Sequence, residues 1–227
     1  MKTLRILVFL SLFFLFASSH SQAAPLYLTA FGLADLSGLP LDVTYNSAGG
    51  AFHVQGSLQD FIDSLGNDTG DLGFYGSYSI SATINGAGVV APGGTVTISD
   101  YASVTLLTGN LVSGSSGVAW GYDNNSSVDQ FAFLFTVTGG TEAADFGGLG
   151  GLGGVNLFAD FGGNAGHDTP FTGTWGGSFN NLHNSGAGTG NGYADIVPVP
   201  ELSSILLTLV GGVLCVAARR RLNPPRA

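Results

Sequence analysis

Between about residue 25 and residue 196 the chain is a succession of short runs in which apolar and polar side chains alternate. Two examples are SYSISATI at Ser77–Ile84 and GGTVTISDY at Gly93–Tyr101. The runs are rich in Val, Ile, Thr, Tyr and Phe and are separated by Gly, Asn, Asp or Ser, a pattern that indicates β-strands joined by turns. Their regular spacing predicts an all-β fold, an antiparallel β-sandwich with Gly-rich loops.

One run also predicts its own place in a sheet. Phe131, Phe133 and Phe135 fall on one face of the strand, and the residues between them, Ala132 and Leu134, are apolar too. A strand at the edge of a sheet, or with one face in water, would show polar residues at alternate positions. We therefore predict that this strand is central.

Three segments depart from the strand pattern. LQDFIDSL at Leu58–Leu65 and, more weakly, TEAAD at Thr141–Asp145 lean towards helix, and we expect at most one or two short helical turns there. Residues 187–198 follow a stretch crowded with glycine, and we interpret them as a linker. The ectodomain predicted to form the sandwich is thus residues 24–186.

The first residues have the organisation of a secretory signal peptide. A short basic start is followed by the apolar run Ile6–Phe16 and then by small residues. We expect cleavage after Ala23, giving a signal peptide of residues 1–23, because cleavage after Ala24 would leave Pro25 first in the mature chain. The protein is therefore predicted to be exported.

The distribution of charge excludes one large class of function. All Lys and Arg residues lie in the two ends of the chain, and none lies between Pro25 and Leu202. Nucleic-acid binding depends on basic side chains that neutralise phosphates, so no nucleic-acid partner is expected. The single cysteine, Cys215, excludes an internal disulfide.

Few motifs in the body point to chemistry. DNNSSVD at Asp123–Asp129 offers oxygen ligands at alternate positions, Asp123, Asn125, Ser127 and Asp129, which suits Ca²⁺. The alternative is a polar hairpin loop, and we favour it, because Val128 and Leu134 occupy positions where an EF-hand loop needs Gly and Glu. We predict no resident cofactor, with Ca²⁺ kept as an open alternative.

No catalytic signature is present either. GLGGLG at Gly148–Gly153 matches a dinucleotide motif by letter, but a strand-like run follows it where that motif needs a helix. His53, His167 and His183 are scattered, and no metal-hydrolase or serine-hydrolase spacing occurs. We predict that the protein is not an enzyme and has no catalytic residues.

The tryptophans offer a different chemistry. Trp120 and Trp175, with the tyrosines, could form a platform on which sugars stack, although a Trp in a β-fold more often fills the core.

The C-terminus has three consecutive parts. Val199, Pro200 and Glu201 precede an apolar run of 17 residues, Leu202–Ala218, and Arg219, Arg220 and Arg221 follow at once. At a rise of about 1.5 Å per residue, a helix of this length spans roughly 26 Å, near the lower limit for crossing a bilayer. The arginines are costly to bury in lipid, so they would stop transfer and stay in the cytoplasm.

This arrangement resembles the PEP-CTERM sorting signal of Gram-negative bacteria that make exopolysaccharide. The motif matches at residues 199–201, small polar residues match at Ser203 and Ser204, the helix corresponds to 202–218, and the basic tail to 219–226. Leu202 stands where the family usually has a second proline. The sorting segment is thus residues 199–227.

The resemblance implies that the chain is the substrate of an exosortase, an integral membrane enzyme that would read the Pro-Glu region and remove the helix. The precursor would be held transiently in the inner membrane, and the body would then reach the cell surface or the extracellular matrix. We expect a non-enzymatic protein of a biofilm or exopolysaccharide matrix. A carbohydrate- or calcium-binding adhesin is the alternative, and an extracellular hydrolase comes third.

Overall fold

The computed structural model of the chain describes residues 34–67, 76–114, 119–123, 127–162, 168–182 and 190–199. Within these ranges the regular elements are β-strands, and their bounds follow in chain order. They are β1 (Asp35–Asn46), β2 (Ala51–Ile62), β3 (Gly76–Thr83), β4 (Thr95–Ser99), β5 (Thr105–Leu111), β6 (Trp120–Tyr122), β7 (Val128–Gly139), β8 (Leu152–Asp160), β9 (Phe179–Asn180) and β10 (Asn191–Pro198).

All the strands belong to one antiparallel sheet that closes on itself. The order around the sheet is β10-β8-β7-β5-β4-β3-β2-β1, and β1 pairs with β10 to complete the ring. The short strands β6 and β9 pair with β7 and β1, respectively. The prediction of an antiparallel all-β fold is confirmed. The sandwich of two stacked sheets is not confirmed, because the described strands form a single sheet.

The inner face of the ring holds the hydrophobic core, and the alternation along each strand explains why. Phe131, Phe133 and Phe135 on β7 are almost fully buried. Strand β7 pairs with β8 on one side and with β5 and β6 on the other, so the prediction that it is central is confirmed. Gly109 and Gly153 on the neighbouring strands leave room for the Phe135 ring, since a Cβ on either would lie 2.2 Å from a ring carbon.

An aromatic cluster fills part of this core. Segment 168–182 contributes Phe171, Trp175 and Phe179, which contact Phe131 on β7 at ring-centroid distances of 5.1, 5.8 and 5.2 Å. The hydroxyl of Tyr45 lies 2.9 Å from the carbonyl oxygens of both Ile84 and Trp175, so it donates into this cluster. The packing of this segment against β1 and β7 thus stabilises the ring from within.

Strand β10 corrects the linker prediction. Residues 191–198 pair along their whole length with β8, and four of them also pair with β1. Ala194 and Ile196 are fully buried on the inner face, and Asp195 between them lies on the outer face. The alternation in YADIVP is that of a strand, although the glycine-rich stretch before it favours a linker when the sequence is taken alone.

The helix-leaning segments are not helical. Strand β2 runs on to Ile62 and so includes most of the segment at 58–65. Leu58 pairs with Gly38 and Asp60 with Ser37, so Gln59 is an extra residue in the ladder. This bulge places Leu58 and Phe61, three residues apart, both in the core. Buried residues three positions apart are also typical of a helix, which explains why this segment leans towards helix in the sequence. Residues 141–147 form consecutive turns.

Several predictions concern residues outside the described ranges. They include the signal peptide with Ala23 and Ala24, the motif residues Pro200 and Glu201, the apolar run 202–218, and Arg219, Arg220 and Arg221. In the part of the chain that the structure describes, no helix is long and apolar enough to cross a membrane.

Candidate binding face

The outer surface of β8 and β10 carries a stacked aromatic pair. Phe158 and Tyr193 are directly opposite in the strand register, and their rings are 4.5 Å apart and nearly parallel, at 9°. Both point outward, because the adjacent Leu157 and Ala194 are fully buried in the core. Tyr193 is 42% exposed, so the stack is partly open to solvent.

A second aromatic pair lies on β6. The rings of Trp120 and Tyr122 are 5.6 Å apart at an angle of 7°. The residue between them, Gly121, faces the core, since a Cβ there would lie 2.8 Å from the Phe171 ring. Trp120 and Tyr122 therefore face outward, and Tyr122 is 52% exposed. We call the surface formed by Trp120, Tyr122, Phe158 and Tyr193 the aromatic face.

The strand register joins the two pairs into one row. Tyr122 is opposite Gln130 on β7, Gln130 is opposite Phe158, and Phe158 is opposite Tyr193. Neighbouring strands are about 4.8 Å apart, so the row extends for roughly 14 Å across the strands. This length suits an extended ligand.

Amide groups lie within the aromatic face. Gln130 donates a hydrogen bond from Nε2 to Oδ1 of Asn156 over 3.3 Å. Asn156 is opposite Asp195, one alternate position along from the Phe158–Tyr193 stack. The face therefore combines flat apolar rings with oriented donors and acceptors, the usual composition of a site for a small polar ligand.

Carboxylates border the Phe158–Tyr193 stack on both sides. Asp160 is paired in register with Asn191, whose Nδ2 donates to Asp160 Oδ2 over 3.4 Å, and Asp195 lies beyond the other end of the stack. Burial raises the pKa of Asp195. Burial and the nearby Asp195 charge also raise the pKa of Tyr193, so its hydroxyl stays protonated at neutral pH and can donate a hydrogen bond.

A second acidic group adjoins Asp195 where β1 lies beside β10. Burial, followed by the charges of Asp195 and Asp60, raises the pKa of Asp35 to about 7. Burial first, and then the charges of Asp195 and Asp35, raise the pKa of the fully buried Tyr78 well above its ordinary value. Among the described residues, neither Asp35 Oδ1 nor the Tyr78 hydroxyl has a hydrogen-bond partner. A negative charge on Asp35 or Asp195 is therefore costly.

The structure separates the two tryptophans of the predicted sugar platform. Trp120 belongs to the aromatic face, but Trp175 is only 6% exposed and packs in the core against Tyr45, Phe52 and Phe179. For Trp175 the alternative of a core residue is therefore the correct one.

Of the residues considered for Ca²⁺, Asp123 directly follows Tyr122 and Asp129 directly precedes Gln130, the register partner of Tyr122, so the two lie near the same end of the β6–β7 ladder. Asp129 is buried at 2% exposure, on the inner side of β7 with Phe131, whereas Ser127 is exposed and Asp123 follows β6. Asn125 lies outside the described residues. In the described ranges, no group of three or more His, Cys, Asp or Glu side chains is arranged to hold a metal ion.

Elsewhere on the body, described residues line two further cavities. One of about 240 Å³ is lined by Asp42, Thr44, His53, Gln55 and Leu182, and His53 Nδ1 lies 3.1 Å from Ser81 Oγ. Asp42 accepts a hydrogen bond from the Gly190 amide over 2.7 Å, so it fixes the chain where it enters β10.

The other cavity, of about 360 Å³, has four acidic residues in its lining, Asp63, Asp100, Glu142 and Asp145, beside Phe61, Ser64, Leu65 and Leu106. Two of them bind loop amides: Asp63 accepts from Leu65 and Asn67, and Asp100 accepts from Ala102 and Val104. These carboxylates stabilise turns.

The first residue of the predicted sorting motif, Val199, is among the described residues, and it adjoins the sheet. The Val199 amide donates to the Leu152 carbonyl over 2.8 Å, one residue beyond the end of β10. The folded body therefore extends to the first residue of the motif.

Comparison with protein-family models, with curated proteins and with solved structures gave no match. The aromatic face is thus described from its own geometry. From the sequence, Trp120 and the tyrosines are candidates for a sugar platform, whereas Phe158 carries no signal that sets it apart. Its partner Tyr193 lies on β10, which had been interpreted as a linker, so the pairing could not be anticipated.

Proposed function

We propose that the protein is an exported, non-enzymatic component of a cell surface or extracellular matrix, sorted by its C-terminus. In this proposal residues 1–23 are a signal peptide, the helix at 202–218 holds the precursor transiently in the inner membrane, and an exosortase removes that helix. The order of the C-terminal parts carries the proposal: Val199-Pro200-Glu201, an apolar run and then three arginines.

Two structural observations support this proposal. The closed sheet ends at the motif, so a cut after Val199 would leave every described strand in the released body. In addition, three carboxylates of the body, Asp42, Asp63 and Asp100, accept hydrogen bonds from backbone amides and so stabilise the fold. A matrix protein needs a stable body more than a reactive site.

The mature C-terminus tests the processing step. Cells that contain an exosortase should yield a chain whose mass shows loss of residues from the apolar run onward, and Glu201→Ala should accumulate the membrane-bound precursor. Glu142→Ala, which changes the other glutamate of the chain, should mature normally. A wild-type chain that still ends at Ala227 in such cells would overturn the proposal.

A carbohydrate-binding protein is the second candidate, and the aromatic face is the specific observation that favours it. The two candidates are compatible, since a matrix protein can be retained by binding a polysaccharide.

A further inference from the structure

We propose that the aromatic face binds an uncharged polysaccharide, whose sugar rings stack on Tyr193 and Tyr122 while their hydroxyl groups bond to the amides and carboxylates between and beside them. This inference rests on the proposed function in one respect only: export determines where the protein would meet its ligand. The binding itself is a property of the folded body.

The shape of the face is the first argument. Two pairs of nearly parallel rings lie on one outer surface, and the more exposed member of each pair, Tyr122 and Tyr193, marks one end of a row roughly 14 Å long. Sugar rings present flat faces of C–H groups, which pack well on the face of an aromatic ring. A row of this length therefore accommodates several consecutive sugars of a chain that runs across the strands.

The polar groups are the second argument. Gln130 and Asn156 hold each other in position between the two aromatic pairs, and Asn156 is nearly buried. Asp160 with Asn191 and Asn156 with Asp195 lie on either side of the Phe158–Tyr193 stack. Hydroxyl groups of a sugar can donate to carboxylate and amide oxygens and accept from amide nitrogens, so each side of the stack offers both roles.

Charge determines the class of polysaccharide. The body has no Lys or Arg between Pro25 and Leu202, and the stack is bordered by Asp160 and Asp195. A polysaccharide rich in carboxylate, sulfate or phosphate groups would find no cation to pair with and would be repelled by these aspartates. The complementary ligand is one without acidic groups.

The test measures binding by the full-length purified chain in non-ionic detergent. Affinity electrophoresis in gels that contain a soluble β-glucan, a neutral mannan or alginate compares two uncharged chains with an acidic one. We expect retardation by at least one neutral polysaccharide and none by alginate. No retardation by either neutral polysaccharide, or retardation by alginate, would overturn the proposal.

Variants of the aromatic face locate the site. Tyr193→Ala and Tyr122→Ala should each weaken the apparent affinity about tenfold, which corresponds to losing about 1.4 kcal/mol of stacking. Tyr193→Phe, which keeps the ring, should bind within about threefold of the wild type. Tyr101→Ala is the matched control, because Tyr101 is 70% exposed in the turn between β4 and β5.

All four variants should stay folded, as urea unfolding checks, since the side chains are partly exposed; Tyr193→Ala, which also loses the stack on Phe158, should lose about 1 kcal/mol at most. Equal weakening by Tyr101→Ala would contradict a localised site. Self-association of the unliganded wild type that is abolished by Tyr193→Ala would assign the face to a second copy of the chain and overturn the proposal. Because binding uses purified protein, a failure of C-terminal processing would not affect the outcome.

Discussion

Acidification should stabilise the folded body, and Asp35 is the main reason. Its pKa is about 7 in the folded state and 3.8 as an ordinary carboxyl. Between these two values the folded state binds a proton that the unfolded state releases. The contribution to the free energy of unfolding is therefore fully present below pH 3.8 and is lost as the pH rises through about 7.

The magnitude follows from the size of the shift and from the surroundings of Asp35. A shift of about three units corresponds to at most about 4 kcal/mol. Asp35 keeps partial contact with solvent, which screens the charges, so we expect a smaller gain of about 1–2 kcal/mol between pH 8 and pH 5. The charged neighbours, Asp60 on β2 and Asp195 on β10, are both acidic, and burial raises the pKa of Asp195 in the same direction.

Urea unfolding followed by tryptophan fluorescence at pH 5, 6, 7 and 8 measures this dependence, because Trp175 is buried in the core. Asp35→Asn removes the titrating group, so it should flatten the dependence and be more stable than the wild type at pH 8. Asp63→Asn is the matched control. Asp63 is partly exposed, and its hydrogen bonds with Asn67 lower its pKa, so it stays ionised throughout this range.

Wild-type stability that is constant or rises from pH 5 to pH 8 would refute this reasoning. An Asp35→Asn variant with the wild-type dependence would refute the assignment to Asp35.

Two further predictions concern the closed sheet. Gly153→Ala should lower the free energy of unfolding by about 1–3 kcal/mol, because the new Cβ would lie 2.2 Å from the Phe135 ring. Gly86→Ala is the control and should be nearly neutral, because a Cβ there meets no atom within 4 Å. Thermal unfolding compares the two variants, and equal stability would contradict the packing of Phe135 against Gly153. Asn181→Ala should lower the free energy of unfolding, measured with urea, by about 2–3 kcal/mol. The fully buried Asn181 side chain accepts a hydrogen bond from the Val43 amide over 2.7 Å and donates one to the Leu41 carbonyl over 3.2 Å. A loss below about 0.5 kcal/mol would show that those bonds are replaced.

The local pattern of the sequence was sufficient to predict strands but not the number of sheets. Phe131, Phe133 and Phe135 show period two, and their burial and the central place of β7 follow from it. A sandwich and a closed ring both need strands with one apolar face. What distinguishes them here is the pairing of β1 with β10, which joins Leu36 to Ile196 across most of the chain. No local pattern encodes such a contact.

The aromatic face shows the same limit. Trp120 and Tyr122 are two residues apart, so a strand puts them on the same side, and this could be anticipated. Phe158 and Tyr193 become neighbours only through the register of β8 with β10. The burial of Trp175 likewise depends on where segment 168–182 packs, because nothing in its local sequence indicates that its ring faces Phe52 and Phe131.

The position of β10 links the fold to both proposals. This strand closes the ring by pairing on both sides, it carries Tyr193 and Asp195 outward, and it ends one residue before the sorting motif. Removal of β10 would therefore open the ring and dismantle the aromatic face together. Any processing that releases a functional body must cut after the strand, and the Val199 amide bonded to Leu152 marks that limit. The proposed exosortase motif, which begins at Val199, lies at this boundary, so sorting and glycan binding can occur in succession in the same molecule.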